Sequence, residues 1–266
     1  LYNLNLDLVI ASFYNHGMKV LRKVLIGLLI ILLLVTGGFI FWGLTPSPPM
    51  PEALAAMQRD SALSVSRPSS WYEFKPAGSS PDSGFIFYPG GHVDARAYAP
   101  LARELARNGY LVILPPMPLN LAVLAPNTAE KVLAAHPEVR RWVLGGHSLG
   151  GAMAANFVRN HPGEITGLAL IASYPAASDN LSSVNVKSIS IYATQDGLAT
   201  AEKIAASRAL LPSDTRWVEI IGGNHAGFGW YGNQPGDKPA SITREEQQRQ
   251  VVSALTDFLT SLKESP

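Results

Sequence analysis

The segment Gly145-Gly146-His147-Ser148-Leu149-Gly150-Gly151 leaves the backbone around it few choices. It follows the β-like run Trp142–Leu144 and opens the helical pattern Leu149–Asn160, so a strand has to turn directly into a helix at Ser148. Glycines on both sides are what such a turn needs, because side chains would fill the space through which strand and helix approach each other. Gly146-His147-Ser148-Leu149-Gly150 fits G-x-S-x-G, a pattern whose mechanical meaning is a serine held out at the end of a sheet on strained backbone.

The chain around this turn alternates. Gly84–Tyr88, Tyr110–Leu114, Trp142–Leu144, Leu168–Ala172, Ile189–Ala193 and Trp217–Ile221 read as strands. Ala95–Asn108, Asn127–Ala135, Leu149–Asn160, Ala201–Leu211 and Ile242–Leu262 carry helical spacing between and after them. Such alternation predicts an α/β fold, a mostly parallel sheet with helices on both faces. The 266 residues, 47% apolar and 15% charged, exclude a disordered chain and allow one large domain or two small ones. A net charge of +1 implies no basic surface for nucleic acid, and the absence of cysteine excludes disulfides, a thiolate metal site and a thiol nucleophile.

Val24 to Leu44 holds 21 residues without a charge. At about 1.5 Å per residue that is roughly 31 Å of helix, enough for a hydrocarbon core of about 30 Å. We expect residues 18–44 to form a membrane anchor or signal segment, with a cleaved signal kept open by Ala53-Leu54-Ala55. Lys19, Arg22 and Lys23 precede the span and no basic residue follows soon after it, which predicts a cytoplasmic N-terminus and a catalytic domain outside the membrane. Secretion after cleavage is the alternative. Met18 is the expected start, residues 1–17 a non-native leader, 45–68 a Pro-rich linker, and 69–266 the folded domain.

A serine hydroxyl needs a base, and a strand-turn-helix nucleophile of this kind demands the chain order serine, acid, histidine. Of six histidines only His225, in Gly222-Gly223-Asn224-His225-Ala226-Gly227, comes late enough and follows a strand. His147 is expected to point into the sheet as packing. Asp196, after the strand Ile189–Ala193, is the expected acid, with Asp179, Asp214 and Asp237 as rivals. The backbone N–H groups of Leu149, at a helix N-terminus, and of Gly91, in Tyr88-Pro89-Gly90-Gly91-His92, are the expected oxyanion donors. The 14 residues from 174 to 187 are too few for a lid domain, and Gly227–Pro239 is expected either to wall the pocket or to pack on the sheet edge.

The stretches Phe85–Asp94, Gly145–Ala154, Gly222–Gly229 and Tyr231–Asp237 resemble the α/β-hydrolase superfamily, and more closely its small fold-5 branch, over roughly residues 70–262. That resemblance implies a cofactor-free serine hydrolase with Ser148, Asp196 and His225 as its triad. Dienelactone hydrolases share the fold but use a cysteine, which this chain lacks. The leading expectation is an esterase acting on a small-molecule ester or acyl substrate, with no metal, no cofactor and no nucleic-acid partner. Acyl transfer on the same triad and a non-catalytic anchored binding protein are the alternatives.

Overall fold

The computed structural model describes residues 3–264 of the chain. They divide into two units, Leu1–Leu44 and Thr45–Pro266. The first is one helix, α1 (Asn3–Gly43), which runs unbroken through both the expected leader and the charge-free segment. Its stretch Val9–Gly43 is long and apolar enough to cross a membrane.

The second unit is a single eight-stranded sheet flanked by helices. In chain order it contains α2 (Pro51–Ala56), β1 (Leu63–Ser66), β2 (Tyr72–Pro76), β3 (Ser83–Tyr88), α3 (Ala99–Arg107), β4 (Leu111–Leu114), α4 (Thr128–Ala135) and β5 (Arg141–His147). Then follow α5 (Leu149–Asn160), β6 (Gly167–Ile171), β7 (Lys187–Ala193), α6 (Ala201–Ala206), β8 (Arg216–Ile220) and α7 (Arg244–Glu264). The strand order is β1-β2-β4-β3-β5-β6-β7-β8, antiparallel between β1 and β2 and between β2 and β4, and parallel from β4 to β8.

Alternation along each buried strand feeds two cores. Phe85 and Phe87 of β3 join Leu101 and Leu105 of α3 and Leu255 and Phe258 of α7 on one face. Ile86 and Tyr88 join Val132 of α4 and Phe157 and Val158 of α5 on the other. Both faces are therefore covered, which is why the inner strands read as continuous apolar runs. The chain leaves β3 toward β4 on one side and returns to β5 on the other, so the connections diverge and open a crevice at the carboxyl ends of β3 and β5. Ser148 stands at that point. The β6–β7 connection contains no helix or strand, in keeping with its length.

Residues 45–68 are not the free linker that their prolines suggest. Ser47 donates its N–H to the His92 carbonyl at 2.9 Å and accepts from the Asp94 N–H at 3.2 Å, and the Met50 N–H donates to the Trp230 carbonyl at 2.8 Å. Ala53 and Ala56 of α2 are buried, and β1 pairs with β2 from Leu63↔Pro76 to Ser66↔Glu73. The folded unit thus begins at Thr45. A chain beginning at Thr45 is expected to fold, whereas one beginning at Ser69 should be less stable by at least about 2 kcal/mol, the worth of burying Leu63 alone. Urea unfolding of the two would show equal midpoints if α2 and β1 were ornamental.

Candidate active site

The backbone at Ser148 has φ 52° and ψ −121°, a region that a residue with a side chain occupies only under strain, at a cost of about 1–3 kcal/mol. Surrounding contacts hold it there. The Ser148 N–H donates to the Ile171 carbonyl at 3.0 Å, and the Ser148 carbonyl accepts from the Ala152 N–H at 3.1 Å and from Ser173 Oγ at 2.7 Å. A Cβ on Gly146 would lie 2.5 Å from the Gly150 carbonyl carbon, and one on Gly150 would overlap the Tyr88 carbonyl oxygen. The glycines therefore let β5, α5 and β3 close to backbone contact around the serine.

Two loops at the same edge of the sheet carry Asp196 and His225, after β7 and β8. Asp196 Oδ1 accepts the N–H groups of Leu198 and Ala199, each at 2.7 Å, which leaves Oδ2 for His225 Nδ1 at 2.8 Å. Both residues are 1% exposed. Because an ionised carboxylate only accepts, Nδ1 carries the hydrogen and Nε2 keeps a lone pair. His225 Nε2 is buried with no hydrogen-bond partner, and the imidazole shares with Ser148 a cavity of about 310 Å³. No hydrogen bond joins Ser148 Oγ to Nε2. The rival acids are engaged elsewhere: Asp179 with Asn156, Asp214 with Lys187, and Asp237 with backbone N–H groups.

The loop after β3 presents three N–H groups in succession. Gly90 donates to the Tyr98 hydroxyl at 3.1 Å and His92 to the Asn120 carbonyl at 2.8 Å, and between them Gly91 has no acceptor among the described residues. A Cβ on Gly91 would stand 3.1 Å from Leu149 Cδ2, so the two expected donors are neighbours in space. Leu149 opens α5, where the N–H has no intrahelical partner.

Tyr98, within the expected helix Ala95–Asn108, carries no sequence signal for a role at the site. Its hydroxyl lies 2.8 Å from His147 Nδ1, so one phenol links the loop after β3 to the residue before the serine. The His147 ring is fully buried and its centroid is 4.5 Å from that of His225. Burial drives its pKa well below the ordinary histidine value, and the repulsion it would meet from a protonated His225 adds to this, against an opposing contact with the His225 backbone. Burial also pushes the Tyr98 phenol up, so it stays protonated. None of residues 227–239 lines the cavity at Ser148, and Trp230 and Tyr231 are buried, the Tyr231 ring lying against Tyr98 and against His147 of the central strand β5. Among the described residues no group of three or more His, Asp or Glu side chains is placed to hold a metal ion.

A strained serine at a strand-to-helix turn, in a parallel sheet with His and Asp on later loops, is the arrangement of a hydrolase built on an α/β scaffold. The model of the alpha/beta hydrolase family, fold-5 branch, matches residues 84–249, and the chain belongs to that family. Solved structures with the same fold include a dienelactone hydrolase from Anabaena variabilis, at 13% identity and a TM-score of 0.59 over 75% of this chain and 98% of that one. A predicted CIB-like hydrolase from Thermoplasma acidophilum matches at 16% identity and a TM-score of 0.55, over 74% and 99% of the two chains. Thermogutta terrifontis esterase 2 matches at 15% and 0.54, over 74% and 94%. No curated protein matches the chain.

The neutral His147 makes stability depend on pH. Its folded pKa lies below the unfolded value of about 6.5, so the unfolded chain binds the extra proton and stability is lost as pH falls below about 6.5, by at most about 1.4 kcal/mol per pH unit. The His147→Gln variant should show a shallower fall in Tm from pH 7 to pH 5 than the parent. Parallel Tm profiles would contradict a buried neutral ring.

Proposed function

We propose that this chain is a carboxylic ester hydrolase in which Ser148 is the nucleophile, His225 the general base and acid, and Asp196 the group that orients the imidazole. The observation that carries the reading is the buried His225: its Nδ1 is tied to Asp196 at 2.8 Å, its Nε2 has no hydrogen-bond partner, and the residue lines the same cavity as Ser148. Ser148 Oγ attacks the ester carbonyl as its proton passes to Nε2. The carbonyl oxygen becomes an oxyanion and takes the N–H groups of Gly91 and Leu149, where the dipole of α5 adds positive potential. Collapse breaks the bond to the alcohol, which leaves with the proton from Nε2. A water that gives its proton to the same nitrogen then releases the acid and restores the serine.

The wall of the cavity supports one substrate class. About 310 Å³ is lined by Ala152, Ala172, Tyr174, Leu198 and Ala199 beside the reacting groups, with no Lys, Arg, Asp or Glu. An ionised acyl group would be desolvated there without a partner, so a neutral ester with a small acyl group is the fitting substrate.

Ser148→Ala should lower kcat on a chromogenic short-chain ester by about 10⁴ to 10⁶-fold with the fold intact, and Asp196→Asn by about 10⁴-fold. Activity of the serine variant within tenfold of the parent would remove the nucleophile from the scheme.

We further infer that α1 anchors the enzyme in a membrane as a single pass with the folded unit outside the cytoplasm. Support comes from the charge-free segment from Val24 within α1 and from Lys19, Arg22 and Lys23 directly before it. The full chain should stay with membranes after a carbonate wash, and alkaline phosphatase fused after Pro51 should be active in cells. A soluble full chain, or an inactive phosphatase beside an active cytoplasmic reporter, would contradict the anchor or its orientation.

A further inference from the structure

The loop after the candidate base returns to it through one carboxylate. Asp237 Oδ1 accepts from the backbone N–H groups of Gly197 at 3.0 Å, His225 at 3.2 Å and Lys238 at 2.9 Å, and Oδ2 accepts from Ala226 at 2.8 Å. Gly197 directly follows the acid, and His225 and Ala226 belong to the loop of the base. One side chain therefore bonds to the loops after β7 and β8 together. Four donors are about what a carboxylate can hold, and bonds to an ionised acceptor are roughly twice as strong as neutral ones.

The junction is also tight in backbone terms. A Cβ on Gly197 would overlap the Gly236 carbonyl oxygen and lie 3.0 Å from Asp237 Cα, so the two loops touch main chain to main chain. Gly236, at φ 84°, makes the turn that brings Asp237 in. Asn224 Nδ2 donates to the Lys238 carbonyl at 2.7 Å and Arg244 Nη2 to the Gly232 carbonyl at 3.0 Å, which fixes the loop on both sides of the carboxylate. Asp237 does not line the cavity at Ser148, so its influence on chemistry has to pass through the positions of Asp196 and His225.

Resting on the triad reading above, we propose that Asp237 is a positioning residue that sets the spacing of the acid and base loops and so holds the His225–Asp196 hydrogen bond in register. Two variants break the junction from opposite sides: Asp237→Asn places an NH₂ group in the acceptor shell, and Gly197→Ala drives a methyl group into Gly236. In the full chain, with folded protein quantified by near-UV circular dichroism, each should lower kcat for a small ester by about 10 to 100-fold, the scale of a misplacement near 1 Å. KM should stay within about threefold, since a transition-state contact and not substrate binding is lost. The downfield proton signal of His225 Nδ1–H should be lost or displaced in both variants. A fall in Tm with kcat within twofold of the parent would overturn the proposal in favour of simple structural support, and a rise in KM alone would overturn it in favour of a substrate contact. If Asp237→Asn fails to fold, Gly197→Ala decides by the same outcomes. Should the parent hydrolyse no ester, the functional reading fails separately, and an unchanged proton signal in the variants would overturn the positioning role itself.

Discussion

Everything at this site depends on how closely β5 can approach α5. A strand that feeds directly into a helix brings two backbones together, and only the absence of side chains at Gly146 and Gly151 allows it, since a Cβ on either would meet main-chain atoms of the other element. The strain falls on Ser148, at φ 52° and ψ −121°. Its placement follows from the same geometry: the residue stands at the head of α5, at the point where the sheet's connections diverge. The two cores above and below the sheet hold this arrangement because the inner strands are buried on both faces and cannot shift without losing apolar contact.

Around the serine the fold buries polar groups that would be costly alone. Asp196 is held by two N–H groups and His225, and His147 is kept neutral beside Tyr98, whose hydroxyl also takes the Gly90 N–H. Each partner removed would strand another buried polar atom, so the network favours one arrangement of the loops. His225 is the histidine of this set that lines the cavity with Ser148, and its Nε2 has no hydrogen-bond partner, as the proton acceptor of the proposed chemistry requires.

Much of this was readable in the residues, and the limits have physical causes. The glycine cradle, the strands β3 to β8 and the placing of Asp196 and His225 on loops at the sheet edge of Ser148 were legible, because the buried parallel strands β3 to β7 are mostly apolar runs and because a tight turn restricts residue type. β1, β2 and α2 were not: Leu63–Ser66 and Pro51–Ala56 are short, and a four-residue edge strand such as Leu63-Ser64-Val65-Ser66 carries too little periodicity to stand out beside prolines and serines. Tyr98 looked like one more apolar position of a helix, because its partners, Gly90 and His147, come from other elements. The role of Asp237 was equally hidden, since all four of its donors are backbone groups, which carry no residue signature.

The most direct measurement is a crystal structure of the protein after reaction with a small fluorophosphonate. The account predicts phosphorus bonded to Ser148 Oγ, the phosphoryl oxygen within hydrogen-bond distance of the Gly91 and Leu149 N–H groups, and His225 Nε2 turned to the bound group. An adduct on another residue, or a phosphoryl oxygen directed away from both N–H groups, would contradict it.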